Sequence, residues 1–320
     1  VPYRGNNGTV LVTGATGYVG SAVAAALAAA GYRVCGLARS EGSAKKLEER
    51  GYTPYPGDMG RAGTVSRTIL DSGAGAVVHA ATTGDSGAEE ADRTAVEEAL
   101  DSLRGSGGTF VYTSGGWVMG ETPGYLGDPP ADEESPVDPA PSLRWRPAVE
   151  RRVLEAASTH GVRTLVLRPA LVYGDGGGVV AELVESARNR GAPRYVVDDE
   201  PGSDPLWTLV HTSDLGDLYV RALERSEVAG GTLLIAAGTD PVPVREIAAG
   251  ASGIHGSGEP PEPLPLSEAR AELGDYADSL ALSQRLSGER ARITLGWEPS
   301  GPTVFEELAS GFSRSPGGPR

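Results

Sequence analysis

Apolar and polar positions alternate between two rhythms along the first half of the chain. Val10-Leu11-Val12-Thr13 is a short run of β-formers that stops at a glycine-rich turn, and residues 21–30, rich in alanine, then read as a helix. The same exchange recurs. Residues 33–37 read as a strand, 43–50 as a helix ended by Gly51, and a short strand leads to Gly57-Asp58-Met59. Residues 76–79 and 109–113 read as strands, with a helix over 88–103 and a glycine break at 105–108 between them. A stretch rich in proline, glycine and acid, 120–141, precedes a helix over 146–160 that Gly161 ends, and 164–168 is the next strand. Strands alternating with helices predict an α/β fold on a doubly wound parallel sheet, with 120–141 as a long loop over its cleft.

The first turn carries the most specific chemistry. Gly14 makes the tight turn, Gly17 lets backbone amides approach a pyrophosphate, and Gly20 lets the helix pack closely on its strand. The free N–H groups of the new helix then point at phosphate, so this strand–turn–helix predicts a dinucleotide site in a Rossmann-type fold. After the second strand comes Ala38-Arg39-Ser40, where an NAD site usually sets an acidic residue against the ribose hydroxyls. A guanidinium suits a 2′-phosphate instead, and the expected cofactor is NADP(H).

The spacing in Thr13-Gly14-Ala15-Thr16-Gly17-Tyr18-Val19-Gly20 resembles that of the extended or atypical short-chain dehydrogenase/reductases. The resemblance continues through Val77-Val78-His79-Ala80-Ala81, Val111-Tyr112-Thr113-Ser114 and Leu167-Arg168-Pro169-Ala170-Leu171-Val172-Tyr173-Gly174. It runs on in Val210-His211-Thr212-Ser213-Asp214-Leu215 and Leu295-Gly296-Trp297-Glu298-Pro299. It implies a Rossmann domain over 1–172, completed by about 206–238, a smaller substrate lobe from 173–205 and 239–312, and a disordered tail at 313–320. It also implies a cofactor path along Gly14, Thr16, Gly17, Tyr18, Val19 and Gly20, beside Arg39, Ser40, Asp58 and Met59. That path passes Ala80, Ala81 and Thr82 and ends near Arg146, Pro169 and Val172.

The family's acid–base machinery is altered here. Its members pair a Tyr-x-x-x-Lys on the helix after the fifth strand with a serine or threonine at that strand's end. This chain's only lysines are Lys45 and Lys46, in the second helix. Aligned on Glu150, Ser142 falls at the tyrosine position and Arg146 at the lysine position; a gap-shifted alignment puts Trp145 at the former. Gly115 falls at the serine position, one residue after Ser114. A positioned acid or base is worth about 10²–10⁴ in rate, so ordinary carbonyl reduction needs a substitute. The candidates are Ser114, Ser142, Arg146, Tyr125, Tyr173 and His211. Two main readings follow: an NADP(H)-dependent reductase or epimerase of a small, specialised metabolite with a relocated acid, or a redox-neutral cyclase, lyase or isomerase. A nucleotide-sensing relative without catalysis is a third. Trp207, Tyr195 and Tyr125 are candidate aromatic walls of the substrate pocket, although core packing is the commoner fate of such residues.

Bulk properties narrow the partners. A net charge of −15 and a pI near 4.8 argue against nucleic acid or an anionic membrane. The longest apolar run, 22–30, is far too short to span a bilayer. The single cysteine, Cys35, lies in a strand-like run, so no disulfide forms within the chain. A cytoplasmic protein with a small-molecule substrate is expected, and a homodimer is compatible with the sequence. His79, His160, His211 and His255 are scattered without ligand spacing, so no metal is expected, and His79 reads as structural.

Overall fold

The computed structural model describes residues 8–122, 128–199 and 204–310. Strands β1 (Thr9–Thr13), β2 (Arg33–Ala38), β3 (Thr53–Pro56), β4 (Ala76–His79), β5 (Thr109–Thr113) and β6 (Arg163–Pro169) alternate with five helices. These are α1 (Tyr18–Ala29), α2 (Glu41–Glu49), α3 (Thr64–Ser72), α4 (Ala88–Leu103) and α5 (Arg146–His160). There follow β7 (Leu171–Tyr173), α6 (Gly178–Arg190), β8 (Arg194–Val197), β9 (Leu206–Trp207), β10 (Leu209–His211), α7 (Thr212–Glu224) and β11 (Thr232–Ala236). The chain goes on with β12 (Val242–Pro243), α8 (Val244–His255), β13 (Glu262–Pro265), α9 (Leu266–Leu273), α10 (Tyr276–Ala281), α11 (Glu289–Leu295) and α12 (Val304–Ala309).

Seven strands make one parallel sheet in the order β11-β6-β5-β4-β1-β2-β3, the doubly wound arrangement expected. Val10 and Val12 face the layer of α1 and α7, while Leu11 faces α3, α4 and α5. Both faces are covered, so β1 reads as a continuous apolar run rather than an alternating one. The order reverses between β1 and β4, which opens a crevice at the carboxyl ends of the strands.

Three features differ from the sequence expectation or complete it. Helix α1 starts at Tyr18, not at 21, because extended Gly17 acts as its N-cap and donates its own amide to Gly14 O at 2.8 Å. The Leu295–Trp297 stretch, expected in the small lobe, packs in the sheet body with α1 and α7. The fully buried Trp297 indole donates to Asp214 O at 2.8 Å, and a buried indole N–H needs such an acceptor. Residues 128–141 are zipped to 283–287 through Ala131, whose amide reaches Arg285 O and whose carbonyl takes the Ser287 amide, both at 2.8 Å. Glu133 also accepts the Ile235 amide at 2.7 Å, covering the open edge of β11.

A second core, built from Tyr173, α6, β8, Trp207, α8 and α12, forms the smaller lobe. Helix α7 packs along α1, and β11 joins β6, so both belong to the sheet body. Strands β10 and β9 pair instead with β7 and β12.

Under the crevice, Arg168 at the end of β6 makes a two-pronged ion pair with Glu150 of α5, at 2.9 and 2.5 Å. Both groups are buried. Removing one partner strands the other charge in low dielectric, so Glu150→Ala should lower unfolding free energy by about 3–5 kcal/mol. A urea midpoint within error of the parent would refute this.

Candidate functional site

The phosphate-binding turn is dictated by close approach. Gly14 has φ +72°, and a Cβ there would stand 2.8 Å from Ala80 O and 2.9 Å from Ala81 Cα at the end of β4. A Cβ at Gly20 would stand 2.1 Å from Gly14 O. Neither position admits a side chain. No side chain caps α1 and its first turn holds no acidic residue, so the N–H groups of Tyr18, Val19 and Gly20 keep the positive end of the helix open. The turn therefore fits a dinucleotide pyrophosphate.

A cleft of about 400 Å³ lies against this turn. Gly14, Thr16, Gly17, Tyr18 and Val19 line one side, Arg39 and Ser40 the end of β2, Asp58 and Met59 the end of β3, and Ala80, Ala81 and Thr82 the end of β4. Gly20 lies beneath the turn, and Arg146, Pro169 and Val172 lie outside this lining. Thr13, Leu37, Ser43, Gly57 and Thr83 complete the wall and were not foreseen. Ser43 closes a capping box with Ser40 at the start of α2, a Ser-x-x-Ser signal present in the sequence.

Under the cleft runs a buried polar network. The Thr13 hydroxyl accepts the Ala80 amide at 3.2 Å and is hydrogen-bonded to His79 Nδ1 at 2.8 Å. His79 Nε2 then donates to Asp92 at 3.1 Å, whose other oxygen accepts the Tyr112 hydroxyl at 2.9 Å. Burial first, and the Asp92 charge second, push the Tyr112 phenol well above its usual range. Every member has a partner, in line with the structural reading of His79.

Tyr18 links the turn to the loop after β7. Its hydroxyl donates to Gly174 O at 2.8 Å, and its ring fills the space where side chains at Gly177 and Gly178 would stand. Burial first, then the Asp175 charge, raises its phenol far above the usual range.

The altered catalytic positions are spread unevenly. Arg146 opens α5 and donates Nη1 to Thr113 O at 3.3 Å, with its guanidinium 5.1 Å from the Trp145 ring centroid. Its Nε is buried without a hydrogen-bond partner among the described residues, and so is the hydroxyl of Ser114, next to Thr113. Gly115 is extended at φ −174°, and a Cβ there would meet nothing within 4 Å. The open space at Gly115 thus follows directly on Ser114, one of the two residues with an unsatisfied polar atom. Ser142 is exposed on a short turn, its carbonyl taking the Trp145 indole at 3.1 Å.

The other candidates are committed elsewhere. The Tyr173 hydroxyl donates to Pro302 O at 2.6 Å in the lobe core, and burial raises its phenol above the usual range. His211 caps α7, its Nδ1 accepting from the Ser213 amide at 3.2 Å and hydroxyl at 2.7 Å, while its buried Nε2 has no hydrogen-bond partner among the described residues and lies 3.7 Å from Glu307. Tyr125 lies outside the described residues. Trp207 is buried in the lobe core, and Tyr195 donates to Asp204 at 2.8 Å. Among the described residues no cluster of His, Cys, Asp and Glu could hold a metal, and no helix is long and apolar enough to cross a membrane.

Known proteins share this architecture. A profile of the NAD dependent epimerase/dehydratase family matches residues 10–236. An uncharacterised protein of Schizosaccharomyces pombe is 32% identical over 309 residues, 94% of this chain and 98% of that one. UDP-glucose 4-epimerase of Azospirillum brasilense is 27% identical over 318 residues, 91% of this chain and 87% of its own. The crystal structure of Thermus thermophilus UDP-glucose 4-epimerase with NAD shares the fold, with a TM-score of 0.77 at 20% identity over 95% of this chain and 98% of that one.

Proposed function

The chain belongs to the NAD dependent epimerase/dehydratase family of short-chain dehydrogenase/reductases, and on that premise we propose that it is an NADP(H)-dependent reductase of a small carbonyl or enone metabolite. Arg146 and Ser114 replace the family's tyrosine and lysine. The observation that carries this reading is a pair of buried, unpartnered polar atoms at the end of β5: Ser114 Oγ, between Thr113 and Gly115 in the chain, and Nε of Arg146, whose Nη1 holds Thr113 O. Buried donors without partners cost about 1–3 kcal/mol each, and a substrate oxygen reaching this pair would satisfy both.

Bound in the cleft, NADP(H) supplies hydride. The amides of Tyr18, Val19 and Gly20 hold its pyrophosphate, and Arg39 holds its 2′-phosphate at the lip of the cleft. The Arg146 guanidinium steadies negative charge that develops on the substrate oxygen, and Ser114 donates a second hydrogen bond to it. This division of labour suits an enone: hydride adds at the β-carbon, the enolate oxygen is held by Arg146 and Ser114, and the α-carbon takes its proton from solvent.

Cofactor choice is tested at Arg39. Arg39→Ala should weaken NADPH by about 1.5–3 kcal/mol, the worth of a charged hydrogen bond, and leave NADH nearly unchanged. Tighter NADH than NADPH binding in the parent would end the assignment. The reaction class is tested by single turnover with 4-deuterated NADPH and a panel of small ketones and enones. Deuterium is expected in the product. Conversion without deuterium, and without loss of the reduced-nicotinamide absorbance, would leave redox-neutral cyclase, lyase or isomerase chemistry in its place.

A further inference from the structure

We propose that Arg61 is a second specificity-determining residue of the cofactor site, closing on the 2′-phosphate from the β3–α3 loop opposite Arg39; this rests on the NADP(H) reading. A depression of about 780 Å³ adjoins the cofactor cleft, and Arg39, Gly57 and Asp58 line both. Arg61 and Arg67 face the same depression. Arg67 is claimed by Asp71, 3.6 Å away on the same helix. The Asp58 carboxylate turns inward to accept the Gly60 amide at 2.9 Å, and the Arg61 amide closes the turn on Asp58 O at 3.0 Å. That turn carries Arg61 outward to the rim shared with Arg39. Neither Arg39 nor Arg61 forms a salt bridge among the described residues, although the Arg39 charge, after hydrogen bonds from Thr83 and Gly87, helps hold the Asp85 carboxyl below its usual range.

Two guanidiniums without a salt bridge, lining one depression beside the cofactor cleft, match a dianionic ligand. A single arginine satisfies one edge of a phosphate; a second, from another loop, satisfies the opposite edge and adds charge where the overall field is unfavourable. An arginine there has one competing use, stacking on the adenine ring, which would serve NADH and NADPH alike.

Titrations of NADPH, NADH, 2′,5′-ADP and 5′-AMP into the parent, Arg61→Ala, Arg61→Lys and Arg39→Ala separate these cases. Arg61→Ala is expected to weaken NADPH and 2′,5′-ADP about tenfold, to leave NADH and 5′-AMP within about twofold, and Arg61→Lys to recover part of the loss. Equal weakening of all four ligands by Arg61→Ala would assign the residue to adenine stacking and overturn the proposal. Unchanged NADPH affinity in Arg61→Ala, with a selective loss in Arg39→Ala, would overturn it and leave the NADP(H) reading intact. Equal affinity of the parent for NADH and NADPH, with no selective loss in Arg39→Ala, would remove that reading and this proposal together.

Discussion

Gly17→Asp should abolish nucleotide binding while leaving the protein folded. Gly17 is the N-cap of α1, with φ −80° and ψ 176°, a conformation that aspartate adopts without strain and favours at helix starts. Its new Cβ would stand 3.2 Å from Gly14 O, a contact relieved by a shift of a few tenths of an ångström. The carboxylate then accepts the same first-turn N–H groups that a pyrophosphate requires, and sets a negative charge against it. Helix capping contributes about 1 kcal/mol to stability, which offsets the local crowding. Displacing and repelling the phosphates should cost at least about 3 kcal/mol, more than a hundredfold in Kd. Calorimetric titration with NADPH, paired with a thermal melt, checks both halves. Retained affinity would mean that the cofactor does not sit on this turn.

Arg146→Met is expected to lower kcat by about 10²–10³, the usual loss when one preorganised donor to a developing oxyanion is removed. Methionine keeps an unbranched stem and discards the guanidinium, with both its charge and its stacking on Trp145. Arg146→Lys keeps the charge and returns the residue type that the family carries at this position. It should recover most of the lost rate, since a positive charge near Thr113 O is the common element. Single-turnover oxidation of NADPH by the best substrate of the enone panel provides the readout. Equal rates for Arg146→Met and the parent would remove Arg146 as the oxyanion-stabilising group and return Ser142 or a displaced tyrosine to consideration.

The parts of this protein legible in its sequence are those set by local physics. Strand β1 announces itself by its apolar run, and the glycines of the turn by a spacing that steric contact demands, since Gly20 must pass under Gly14 O. Arg39 was visible as the wrong charge for an NAD ribose, and the absent lysine needs only the chain itself to be noticed. Such signals act over a few residues, through dihedral preference, capping and side-chain period.

What the tertiary structure decided is which distant polar groups meet. Asp92 is one of several acids on α4, and only the register of β4 against β5 sets it between His79 and Tyr112. Glu150 and Arg168 become a buried pair because α5 packs back on β6. The hydroxyls of Ser114, Ser142 and Tyr173 looked equivalent along the chain, yet folding leaves one buried and unpartnered, one exposed and one bonded to Pro302. Pairing across a sheet depends on the placement of whole elements, and no local preference encodes it. The sequence by itself therefore determined that this chain makes a dinucleotide fold, and only the packing of α5 on the sheet brought Arg146 to Thr113 O beside Ser114.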